Sequence, residues 1–244
     1  MDAVDASAAD TASTPAAVSA KQADFDALLL EAVIKKNYEV VRAAVSFGAN
    51  VNHTGVAKKK TPLMIAVKQN DMQMVDLLLS LKADPEKFVG TSHKISALHL
   101  AAGKNNFEMT KRLLDAGCNP NISSPDIKGV WTPLHDAALH SSDQLIGLLL
   151  DRGADIEAKT STLATPLALA ARHYKVAATR YLMQRGANVN TRDKAGSTPI
   201  IQACLVGATA VAKLLVEVGK ADLSLKNVAG ATALDEADRK DMWE

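Results

Sequence analysis

The sequence is short of ring systems: four Phe, two Trp and three Tyr stand among its 244 residues, which excludes a core built on stacked aromatics. Only two cysteines occur, Cys118 and Cys204, far apart and with no second thiol near either. That is too few for a disulfide framework or a zinc cage, and it fits a reducing compartment. An excess of one charge is missing too. The 28 basic residues face 27 acidic ones, a net of +1, so no global field favours nucleic acid or an anionic membrane. No apolar run approaches the ~18 residues of a membrane span. The start, Met1-Asp2-Ala3-Val4-Asp5, has neither the basic opening nor the apolar stretch of a secretory signal. The expected location is the cytoplasm, with the nucleus open to it as well. Neither G-x-G-x-x-G nor G-x-x-x-x-G-K-[ST] is found, nor H-x-x-x-H or C-x-x-C, so no cofactor and no metal is expected.

What the chain does have is 48% apolar residues and a strong internal period. Residues 1–23 are Ala, Ser, Thr and Asp without a 3.6 or 2.0 hydrophobic repeat, and are expected to form a disordered tail. From Asp24 onward one string recurs. Thr61-Pro62-Leu63-Met64-Ile65-Ala66 returns as Ser96-Ala97-Leu98-His99-Leu100-Ala101, Thr132-Pro133-Leu134-His135-Asp136-Ala137 and Thr165-Pro166-Leu167-Ala168-Leu169-Ala170. It returns again at Thr198-Pro199-Ile200 and Thr232-Ala233-Leu234, with successive spacings of 35, 36, 33, 33 and 34 residues. A leucine-rich segment follows each of the first five, as in Gly147-Leu148-Leu149-Leu150, and then a turn such as Gly153-Ala154-Asp155 or Gly186-Ala187-Asn188.

The residue types explain the unit. A Thr hydroxyl ahead of Pro accepts an orphan backbone N–H at a helix start, and Pro at the first helical position has no N–H to leave unbonded. Leu63, Ala66 and Val67 then fall on one narrow apolar face. Breaks at Asn70-Asp71, Asn105-Asn106 and Gly207-Ala208 suit the left-handed residue that a tight turn requires. Tyr174 sits at the same point and is expected to carry strain. Helices of two or three turns are not stable alone in water, so each pair must cover its neighbours' apolar stripes.

These motifs resemble the ankyrin repeat family, and the resemblance covers about nine-tenths of the chain. It implies an all-α repeat solenoid of helix-turn-helix units with β-hairpin fingers. Residues 24–244 divide into units near 24–57, 58–92, 93–128, 129–161, 162–194, 195–228 and 229–244, the first and last atypical. Fingers and first helices would line a concave groove.

His135 beside Asp136, with Ser141 or Ser142 nearby, invites a catalytic reading, but adjacent helix residues diverge by about 100° and cannot face one another. The resemblance implies instead that His99 and His135 hydrogen-bond within and between hairpin and helix. Cys118 and Cys204 align with alanines of sister units and read as small buried apolar residues. Between His53 and Arg112, ten basic residues outnumber five acidic ones, with Lys58-Lys59-Lys60 in a connection. This is either a solvated face or a basic finger suited to an acidic peptide. Trp131 is either an aromatic anchor in the groove or the filler of a gap left by the 36-residue spacing. The pairs that the resemblance places in the groove include Leu139-His140, Arg172-His173 and Leu205-Val206, whose apolar members point to a partner or to packing between units.

The expected function is a monomeric, non-enzymatic adaptor for one or more partner proteins, which include acidic segments, with no role for nucleic acid or membrane. Its contact residues are Lys58, Lys59, Lys94, Trp131, Asp136, Leu139, His140, Arg172, His173 and Lys194. The alternatives are an assembly chaperone of a large complex such as the proteasome regulatory particle, and a regulatory part of an enzyme.

Overall fold

The computed structural model describes residues 15–55, 60–89, 95–126, 129–140 and 142–242, with the backbone alone at 15–20, 125, 126 and 129. Thirteen helices are described. An opening pair, α1 (Pro15–Ile34) and α2 (Tyr38–Ser46), precedes five similar pairs. These are α3 (Pro62–Gln69) with α4 (Met72–Ser80), α5 (Ala97–Gly103) with α6 (Phe107–Asp115), and α7 (Pro133–His140) with α8 (Asp143–Asp151). Then come α9 (Pro166–Arg172) with α10 (Val176–Gln184), α11 (Pro199–Leu205) with α12 (Thr209–Glu217), and a last first-type helix, α13 (Ala233–Asp238).

Local chemistry sets these boundaries. The hydroxyls of Thr61, Thr165 and Thr198 accept the N–H of Met64, Ala168 and Ile201, three residues on, with proline opening each helix. Asn37, Asp71, Asn106 and Ser142 cap the second helices in the same way. Just ahead of the second helices the chain turns through left-handed residues: Lys36, Asn70, Asn105, Tyr174 and Gly207 all have positive φ. Tyr174, at φ 61°, is the bulky member of this set. Its hydroxyl donates to the carbonyl of Val206 in the next unit, which helps to hold it there.

Residues 15–23 correct the expected tail. They are helical, the first half of α1. Alanine, the strongest helix former, extends a helix without needing an apolar stripe. Contacts then dock it: Gln22 donates to the carbonyl of Gly48 at 2.6 Å, and the buried carboxylate of Asp26 accepts the N–H of Asn50 at 2.6 Å. Residues 1–14 lie outside the described residues.

First helices pack on first helices along the stack, α3 on α5, α5 on α7, α7 on α9, α9 on α11 and α11 on α13. One buried cluster runs from Leu29 to Ala187 and a second from Ala171 to Ala237, both flanked by Met183 and Val189. The turns that follow the second helices form a ladder of their own. Asp84, Asn119, Asp155, Asn188 and Asp222 each accept the N–H two residues on. The residue two on then reaches the next unit. Asn52 accepts from the N–H of Asp84, Glu86 from Asn119, Asn121 from Asp155, Glu157 from Asn188 and Asn190 from Asp222, all at 2.7–2.9 Å.

The expected β-hairpin fingers pair to different extents along the stack. Strands β1 (Ser124–Asp126) and β2 (Gly129–Trp131) pair antiparallel in one finger, and an isolated bridge joins Val89 to Ile95 in another. These occur where the repeat spacing is 36 and 35 residues. At spacings of 33 and 34 the connection is a tight turn closed by Thr160 with Ala164, Asp193 with Ser197 and Asn227 with Ala231.

Candidate protein-binding groove

Two histidines tie the first helices to the fingers. His135 Nε2–H donates to the carbonyl of Ala158 at 3.0 Å, while Nδ1 accepts from the N–H of Thr132 at 3.0 Å and from its hydroxyl at 2.8 Å. His99 repeats the pattern, donating to the carbonyl of Trp131 at 2.9 Å and pairing with Ser96. A carbonyl can only accept, so the Nε2–H tautomer is fixed at both rings. Burial pushes His135 down to about 4 and lowers His99 as well. Both are neutral struts that set each finger against its helix.

Trp131 stands at the base of the β1–β2 finger, half-buried, its ring 5.3 Å from that of His135. Its indole N–H bonds to the carboxyl of Asp136, which is half-buried on α7 close to Gly103 of α5. Burial pushes Asp136 up to about 7, and the indole bond opposes that only in part. Leu139 is half-buried and His140 exposed on the same helix. Leu205 and Val206 pack on the second core cluster, so interunit packing accounts for those two.

At the next pair, Arg172 and His173 end α9 and are exposed. Burial lowers the His173 pKa, and the charges of Arg172 and Lys175 lower it further. Arg172 at the end of α9 and Lys194 in the connection ahead of α11 line a single cleft of about 250 Å³ with Thr162, Ala168, Leu169, Asp193 and Gln202. Sequence spacing alone gives no sign of that meeting. Lys58, Lys59 and Lys94 lie outside the described residues, and Lys60 is half-buried. Cys118 and Cys204 are buried free thiols, pushed up to about 12 and about 11 by burial.

The family model described as "Ankyrin repeats (3 copies)" matches residues 87–160 and 160–227, and that described as "Ankyrin repeats (many copies)" matches residues 29–79. The chain belongs to the ankyrin repeat family. A putative ankyrin repeat protein of fowlpox virus (strain NVSL), FPV031, is 37% identical over 139 residues, 56% of this chain and 39% of the viral protein. Human ankyrin repeat and SOCS box protein 6 is 37% identical over 121 residues, 46% of this chain and 28% of that protein. The chain thus spans well under half the length of these relatives. The crystal structure of the ankyrin repeat domain of Bcl-3, an IκB family member, superposes with a TM-score of 0.76 at 30% identity, covering 86% of this chain and 93% of that domain. Ankyrin repeats mediate protein–protein interaction. No helix among the described residues is long and apolar enough to cross a membrane.

Proposed function

We propose that the chain is an adaptor that binds a segment of a partner protein along the groove, with Trp131 as the central anchor. The observation that carries this reading is the position of Trp131. It is a half-buried aromatic ring whose polar edge already bonds to Asp136, while Leu139 and His140 continue the same helix. Large rings held rigid at low entropic cost are the usual energetic centres of protein interfaces. Arg172, His173 and Lys194 extend the surface toward later units, and Lys58, Lys59 and Lys94 would add positive charge at the earlier fingers.

The reading contains no chemical step. Both ring nitrogens of His99 and His135 are engaged, so neither ring has a free nitrogen to move a proton to a substrate. The test is capture from native lysate with the wild type and with Trp131→Ala/Leu139→Ala. The variant should lose the proteins bound specifically by the wild type, a weakening on the order of tenfold or more, while its circular dichroism and melting cooperativity stay unchanged. Recovery of the same proteins in the same amounts would rule this patch out.

A further inference from the structure

The cleft between the units of α9 and α11 has a chemistry of its own. Arg172 at the end of α9 and Lys194 in the following finger line it, and no hydrogen bond or ion pair engages either side chain among the described residues. Asp193, its one carboxylate, is already satisfied: it accepts from Gln202 Nε2 at 2.5 Å and from the N–H of Ser197 at 2.9 Å. Ala164, Ala168 and Leu169 supply an apolar wall. The frame is firm, because Lys194 N–H donates to the carbonyl of Thr162 at 2.8 Å and so links the two fingers that form the cleft. A lone Arg at a helix C-terminus is explained by the helix dipole. A second unpaired cation brought to the same cleft by the connection ahead of α11 is not.

We propose that this cleft receives the carboxylate of an acidic side chain, a glutamate with its methylenes on Leu169 and Ala168, carried by an extended segment of the partner protein. The assignment rests on the groove reading above and adds the partner's chemistry and its register. Two cations, one from a helix end and one from a finger, hold one carboxylate, and the apolar wall selects a side chain over a free anion.

The test titrates ¹⁵N-labelled protein with a twelve-residue peptide of alternating Glu and Ala, and with its Gln counterpart. The Glu peptide should shift the amides of Leu169, Arg172, Lys194 and Ala195, and should bind about tenfold tighter than the Gln peptide. Arg172→Ala/Lys194→Ala should remove that preference with helical content unchanged, since both side chains are exposed and unbonded. Equal affinity for the two peptides, no binding of the Glu peptide, or an unaffected double variant would overturn the subsite. So would equally tight binding of an oligothymidylate, which would mark a general anion surface. If shifts cluster at Trp131 and Leu139 instead, the subsite fails and the groove reading stands. If capture survives Trp131→Ala/Leu139→Ala, it is the groove reading that fails.

Discussion

The two long faces of the stack use their charges in opposite ways. On the face made by the second helices, carboxylates of one unit meet guanidinium groups of the next: Asp76 with Arg112 at 2.5 Å, Asp115 with Arg152 at 2.7 Å, and Asp151 with Arg185 at 2.7 Å. On the face made by the first helices and fingers, no hydrogen bond or ion pair engages the Arg172 or Lys194 side chain among the described residues, and Asp136 bonds to an indole. One face satisfies itself along the chain, and the other leaves groups that a second molecule can satisfy. Repetition explains the first pattern, because a favourable contact between neighbouring units can recur in register. The second pattern is irregular from unit to unit, as the proposed binding of a partner segment expects.

Three perturbations separate what supports both faces from what serves one. The largest effect belongs to the core they share. Leu149 of α8 is fully buried, and Leu149→Ala should cost about 2–5 kcal/mol in urea unfolding, felt alike on both faces. Fluorescence of Trp131, read in a Trp243→Phe background, should follow the loss of helical dichroism with one midpoint. Separate midpoints would show that the groove and the second-helix face unfold independently.

Acid is next, and it acts on the finger face. The neutral form of His135 is the one that fits its partners, so its folded pKa of about 4 lies below an unfolded value near 6.5. The unfolded chain therefore takes up protons first. This contribution to stability is complete above about pH 6.5 and falls as the pH drops toward 4, by about 3 kcal/mol in all. In His135→Gln that part of the pH dependence should disappear, although the variant itself is less stable at neutral pH. Parallel pH profiles for the two proteins would remove His135 as the acid-sensitive strut.

The smallest effect is expected on the face that looks most ordered. Arg152 and Asp115 are both largely solvated, so Arg152→Ala should cost at most about 1 kcal/mol, a difference that shrinks in high salt. Its capture of partner proteins should match the wild type. Lost capture would place part of the binding surface on the second helices and end the contrast between the faces.

Much of this was legible in the residues. Thr-Pro steps gave the helix starts, Asn and Gly gave the left-handed breaks, and Leu149 and Leu215, both fully buried, lie where the leucine-rich segments placed them. The alanine-like reading of Cys118 and Cys204 holds for the same reason, since sister residues Ala154 and Ala187 are also buried. Residues 15–23 misled because a docked alanine-rich helix does not need an apolar period. The fingers lie where the repeat placed them, and the motif does not tell how far each one pairs, since strands form at the 36-residue spacing and a closed turn at the 33-residue ones.

The sequence alone determined the repeat, its caps and its core, because those depend on signals within a few residues of one another that recur in each unit. The tertiary structure decided which side chains of different elements meet. The pairing of Asn121 with Asp155, the indole bond that Asp136 receives and the shared cleft of Arg172 and Lys194 belong to this second class. Such meetings depend on how helices, turns and fingers are set against one another, a quantity fixed by summed packing that no short stretch of residues encodes.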